Sequence, residues 1–149
     1  MSGTFLLRTP RNFSFWRTAY SHGWYDLLPF ASDRANQTLS RVLRLTDGSI
    51  VGCEMRAARE GVRVRCTSTT LLSATHRKEL RATLGTCLRL DEDLSGFYRA
   101  MRRLPDYRWI ARHHAGRLLR APTVFEDAVK MICTTNCTWA LTVQMVRGI

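Results

Sequence analysis

The chain has 149 residues, enough for one ordinary domain or a small domain with part of a second. Its apolar content of 45% suits a folded chain and excludes a disordered one, and no apolar run has the length of a membrane-crossing helix. Lysine and arginine total 23 against 12 acidic residues, a net charge of +11, so the field of the protein attracts polyanions, whether nucleic-acid phosphates or an acidic membrane surface.

Thr4 to Arg8 reads as a short first strand; Phe5-Leu6-Leu7 is too short for the apolar segment of a signal peptide. Asn12 is placed to cap a helix from Phe13, with Phe13, Trp16 and Tyr20 on one face and Gly23 at its end. Ser21 to Asp26 is dense in groups that bond or stack on a base, and the same aromatics suit one end of a core. Pro29 to Asn36 reads as a loop. Leu39, Leu43 and Leu45 then mark a strand, and Asp47-Gly48 is a two-residue hairpin signal. The next strand alternates Val51, Cys53, Met55 and Ala57 against Gly52, Glu54 and Arg56. Glu60-Gly61 turns the chain into a third, with Val62, Val64 and Cys66 against Arg63 and Arg65. This is an antiparallel meander with one apolar face. Arg56, Arg63 and Arg65 on its polar face suit phosphates, or simply solvent.

Ser73 to Leu88 reads as a helix with Leu80, Leu84 and Leu88 as its stripe. Asp91-Glu92-Asp93 is an acidic start for another, through Phe97 and Met101 to Arg103. Pro105-Asp106 begins a shorter one with Trp109, Ile110 and His113, stopped at Gly116. His113 and His114 are adjacent and point to different helix faces, which makes a poor metal site. Strands precede helices, so the fold class is α+β. Residues 1–72 are expected to form an antiparallel β-rich domain and residues 73–149 a helical region, incomplete at its C-terminus.

The last stretch carries the most information. Thr123 and Glu126 form a T-x-x-E capping box, after which Phe125, Val129, Ile132 and Cys133 recur at helical spacing. Thr134-Thr135-Asn136 breaks the pattern, and a second run sets Trp139, Val143 and Val146 on one side. The result is helix, polar turn, helix, with an asparagine at the break. Arg117-Leu118-Leu119-Arg120, Pro122-Thr123-x-Phe125-Glu126 and Ile132-Cys133-Thr134-Thr135-Asn136 together resemble the start of the helical domain of helix-hairpin-helix (HhH-GPD) DNA glycosylases. The branch resembled is that of 8-oxoguanine and 3-methyladenine glycosylases. The likeness is weaker but colinear upstream.

That resemblance implies a base-excision repair function, with double-stranded, damaged DNA as the partner and hydrolysis of an N-glycosidic bond as the reaction of the full-length family. Such an enzyme turns its nucleotide out of the stack, at a cost of roughly a few kcal/mol, and a side chain fills the hole. By resemblance Asn136 is the DNA-binding residue that does so; its amide offers both donors and an acceptor. Asn136 also suits a turn or a helix cap. The 8-oxoguanine members follow this asparagine with another, where this chain has Cys137.

The family's catalytic lysine and aspartate, and its glycine-bearing hairpin, lie downstream of the matched stretch. The chain therefore reads as the front part of a glycosylase, the first helices of an incomplete all-α domain. No catalytic residue is assigned: Lys130 lies inside a helix, and Glu126 and Asp127 are first-turn acids with a local role. No metal or cofactor is expected, and the four-cysteine pattern of an iron–sulfur cluster is missing. Five cysteines without a framework spacing suggest buried, reduced thiols and an intracellular location, cytoplasmic or nucleoid-associated. The alternative is a non-enzymatic nucleic-acid-binding α+β protein, and a third reading is a small regulatory domain. Under the glycosylase reading the chain by itself releases no damaged base, and self-association is expected through a C-terminal helix exposing Trp139, Val143 or Met145.

Overall fold

The structure, a computed structural model, describes residues 1–149. It is α+β, with five strands in one antiparallel sheet: β1 (Ser2–Arg8), β2 (Phe30–Asp33), β3 (Thr38–Arg44), β4 (Ile50–Ala58) and β5 (Gly61–Ser68), ordered β1-β5-β4-β3-β2. The helices are α1 (Phe15–Ala19), α2 (Ala74–Cys87), α3 (Ser95–Arg103), α4 (Arg108–Arg112), α5 (Val124–Cys133) and α6 (Trp139–Arg147). None is long and apolar enough to cross a membrane.

The central strands follow the alternation of their side chains. Val51, Cys53 and Met55 of β4 face inward with Val62, Val64 and Cys66 of β5, and Cys53 lies opposite Cys66. At the β3–β4 hairpin Gly48 takes a positive φ of 88°, and Asp47 accepts from the Ser49 amide at 2.9 Å. On the inner face lies α2. Ser73 caps it: its hydroxyl accepts from the His76 amide, and the His76 ring accepts from the Ser73 amide in return. Leu80, Leu84 and Leu88 are fully buried and share one core with the sheet; each contributes about 1.5–3 kcal/mol by leaving water.

Three elements differ from the sequence reading. The stretch read as a loop from Pro29 holds β2, an edge strand whose Phe30 pairs with Arg41. Four residues are too few to show a period of two, so the partner strand decides the conformation. Helix α1 starts at Phe15 behind Ser14, not at Phe13 behind Asn12, and buries Phe15, Thr18 and Ala19. Helix α3 starts after Leu94; Asp93 lies just outside it and accepts from the Ser95 amide at 2.9 Å.

All five cysteines are free thiols, and all but Cys137 are buried. Burial pushes the Cys87 thiol up to about 11.

Two glycines of opposite character test this architecture. Gly61 opens β5 at φ 147°, and a Cβ there would lie 2.2 Å from the Leu7 carbonyl oxygen of β1. Gly85, inside α2, has no neighbour within 4 Å of an added Cβ. Gly61→Ala is expected to cost roughly 2–4 kcal/mol, and Gly85→Ala to gain about 0.5–1 kcal/mol, both read by urea denaturation.

Candidate nucleic-acid interface

The segment before α5 crosses the end of α2 as a strap held by backbone carbonyls. Arg117 is buried and donates to the carbonyls of Arg89 and Glu92; Arg120 donates through Nε to the Thr86 carbonyl at 2.8 Å. Each guanidinium adds a bond to carbonyls at the end of α2 or in the loop after it, of which those of Thr86 and Arg89 also accept backbone amides. Arg117 and Arg120 are therefore scaffold, and Leu119 between them is buried in the core.

The turn Ser21 to Asp26 holds the other side of the same segment. Ser21 Oγ accepts from the Leu119 amide at 3.0 Å, and His22 Nε2 lies 2.7 Å from the Leu119 carbonyl. His22 Nδ1 accepts from the Trp24 amide, which fixes the neutral tautomer with the proton on Nε2. Burial holds the His22 imidazole below its usual range, against the pull of the Leu119 carbonyl. Trp24 donates its indole N–H to Asp127 at 2.7 Å, and Asp26 accepts from the Trp139 indole at 3.1 Å. Gly23 leaves room for that second indole, which lies 2.2 Å from where a Cβ would sit. Of the two uses open to this stretch, it closes the core and clamps both C-terminal helices.

Thr123 caps α5, its hydroxyl accepting from the Glu126 amide at 3.2 Å. The capping box is only half made, because the Glu126 carboxylate points elsewhere. It accepts two bonds from Arg41 of β3, at 3.1 and 2.5 Å, and one from Lys130 at 2.6 Å. Arg41 and Lys130 are both buried, and both lie over the Phe30 ring, at 4.4 and 5.3 Å from its centroid. Burial pushes the Glu126 carboxyl up, but the bonds from Arg41 and Lys130 outweigh it and hold it below the carboxylate range. Asp127 Oδ1 accepts from the Ala121 amide as well as from Trp24. The local role expected of these two acids is thus corrected: each reaches across the chain to the N-terminal half.

This anchoring rotates α5 away from its expected face. Lys130 and Cys133 point inward, whereas Phe125 is 79% and Ile132 69% exposed. Of the apolar surface on α6, Val143 and Val146 pack against the core, whereas Trp139, tied to Asp26 through its indole N–H, stays 42% exposed as expected, with Leu141 exposed beside it. Phe125 and Val129 instead line an open cleft of about 550 Å³ with Leu28, Pro29 and Val146.

Between α5 and α6 the backbone is held tightly. The Thr134 and Thr135 hydroxyls donate back to the carbonyls of Met131 and Ile132, each at 2.7 Å. Thr142 Oγ1 donates to the buried Cys133 carbonyl at 2.9 Å, and Thr138 caps α6 by accepting from the Leu141 amide. Asn136 stands alone among these residues: it has a left-handed φ of 54° and is exposed. It is a turn residue, not a cap. Cys137 turns inward, its thiol 2.9 Å from the Cys133 carbonyl and 3.2 Å from Thr142 Oγ1.

Arg56, Arg63 and Arg65 lie on the outer sheet face, exposed, with Arg56 paired to Glu54 at 3.3 Å. No three histidines, cysteines or acids come together as metal ligands would. The partners of Glu126 left two signals in the sequence. Arg41 takes the inward slot between Leu39 and Leu43, and Glu126 and Lys130 are four apart on a helix. An arginine on an apolar strand face requires an anion from elsewhere. No protein-family model matches the chain, and no curated protein matches it.

Glu126→Gln leaves two buried cations facing a neutral amide. With Glu126 itself 23% exposed, the loss is expected at about 3 kcal/mol, the lower end for a broken buried pair, by urea denaturation. Acidification should act in two windows. A histidine held neutral in the fold binds fewer protons than in the unfolded chain, so His22 contributes stability that is lost as pH falls through the imidazole range. Glu126, held below its usual value, contributes stability that is lost further down, as pH falls through its folded value. Between pH 7 and 5, roughly the imidazole range, Tm should fall, and by less in His22→Gln; an equal fall in both proteins would remove His22 as the cause.

Proposed function

We propose that the α5–α6 turn is a contact with duplex DNA, and that this chain is a homologue of base-excision repair glycosylases. In this reading Asn136 enters the stack where a damaged nucleotide has been turned out. One observation carries the reading. The turn is clamped at both ends by side-chain hydrogen bonds, yet the residue at its tip is exposed, and its amide makes no hydrogen bond within the chain. A wedge needs both properties: a backbone that does not yield as bases are pushed apart, and a polar tip free to meet the orphaned base. The inward turn of Cys137 leaves partner-base contact to Asn136 alone. The charge of +11 supplies the attraction to phosphate.

Breaking the N-glycosidic bond is not assigned to any residue of this chain. Lys130 is engaged with Glu126 inside the fold, and a buried, ion-paired ammonium is no nucleophile. What these residues do under this reading is bind and hold the DNA open.

The test separates side chain from backbone. Asn136→Gly accepts the left-handed φ without strain, whereas Asn136→Ala costs about 1–2 kcal/mol of stability. The glycine variant should melt with the wild type. It should lose about tenfold in affinity for a duplex carrying an abasic-site analogue, the worth of one or two lost hydrogen bonds, with little change for intact duplex. Equal affinity of wild type and glycine variant for the abasic duplex would discard the wedge.

A further inference from the structure

A second surface has the makings of a nucleic-acid site, and it uses none of the residues around Asn136. Arg99, Arg102 and Arg103 share one face of α3 at spacings of three and four, and Arg108 and Arg112 share one face of α4. Like charges so placed cost helix stability. The chain supplies little to offset them: from Leu94 to Phe125 its only acidic residue is Asp106, and none of the five arginines is in an ion pair. Arg108 donates through Nε to the Arg102 carbonyl at 3.1 Å, which draws the two arginine groups together across the turn.

The turn itself, Leu104-Pro105-Asp106-Tyr107, sets one acid among apolar and aromatic residues. Every residue from Arg102 to Trp109 is exposed, with Tyr107 at 52% and Trp109 at 48%. Neither ring stacks on another or on a cation within the chain. The hairpin is held from beneath, where Tyr98 and Ala111 are its only buried residues and Gly116 packs against Phe97. Flat rings among unpaired guanidinium groups match a strand whose bases are open. Arginines take the phosphates, and the rings stack on bases of any sequence. A duplex hides those faces, and an acidic peptide lacks them.

We propose that the α3–α4 hairpin binds single-stranded nucleic acid, with Arg102, Arg103 and Arg108 on the phosphates and Tyr107 and Trp109 stacked on bases. The test is fluorescence anisotropy with an oligothymidylate of about twenty nucleotides, longer than the roughly 4–16 nucleotides of a typical single-strand site. Trp109→Ala should weaken binding about tenfold, and Trp109→Phe should restore part of it. Arg102→Ala with Arg103→Ala should make the dependence of log K on log salt shallower by about 1.4, two phosphate contacts at about 0.7 each. Circular dichroism melting should be unchanged in the arginine double variant, whose altered side chains are exposed, and the Trp109 variants, which lose packing on the half-covered indole, are compared with the wild type well below their own melting temperatures. Asn136→Gly should bind the oligonucleotide like the wild type, so a failed wedge leaves this result standing. Unchanged affinity in Trp109→Ala overturns the proposal. So does competition by polyglutamate, or by phosphatidylserine vesicles, as strong per charge as that of the oligonucleotide.

Discussion

One carboxylate shared by two buried cations fixes how the C-terminal helices sit on the sheet. Glu126 takes a forked pair of bonds from Arg41 and a third bond from Lys130, and the Phe30 ring backs both cations. Such a cluster is costly to desolvate, and greasy side chains of the same volume give equal or greater stability. What apolar packing supplies poorly is direction. Three charged groups with preferred angles hold α5 at one rotation and one height against β3. Turning the helix by a single residue, about 100°, would carry Glu126 out of reach of Arg41.

That constraint explains which parts of the sequence are readable. The strands β4 and β5 follow from alternation closed by glycine turns, and α2 from leucines at helical spacing behind a serine cap. In each of these, burial of apolar side chains decides the structure, and apolar side chains are what a periodic pattern counts. Helix α5 is a different case. Its apolar residues predict one face, whereas Glu126, Asp127 and Lys130 impose another, and their partners Trp24 and Arg41 lie far away in sequence. A long-range polar contact leaves no period. The trace it does leave is an anomaly, such as a charged residue among leucines on β3. Strand β2 is unreadable for a simpler reason, because an edge strand of four residues borrows its conformation from its neighbour.

The candidate site shows the same division. Asn136 and the polar break around it stand out in the sequence, and the structure places them between two capped helices. Its mounting does not stand out. The hydroxyls of Thr134, Thr135 and Thr142 bond backbone carbonyls, and the carbonyls that a hydroxyl reaches depend on where the helix ends. The Ser21 to Asp26 turn is equally hidden. Its dense polar and aromatic groups invite a reading as a ligand surface, yet they are spent on Leu119, Asp127 and Trp139.

The Trp24 contact gives the protein an intrinsic optical probe. The indole is buried in the sheet's core, and its N–H is held by a carboxylate on α5, so its emission depends on both halves of the chain at once. Undocking of the C-terminal helices, with the sheet still intact, would wet that ring before the strands come apart. With Trp16, Trp109 and Trp139 replaced by Phe so that Trp24 alone emits, fluorescence and the far-ultraviolet signal of the backbone would then part company in a protein whose halves separate, and keep step in one whose single core melts as a unit.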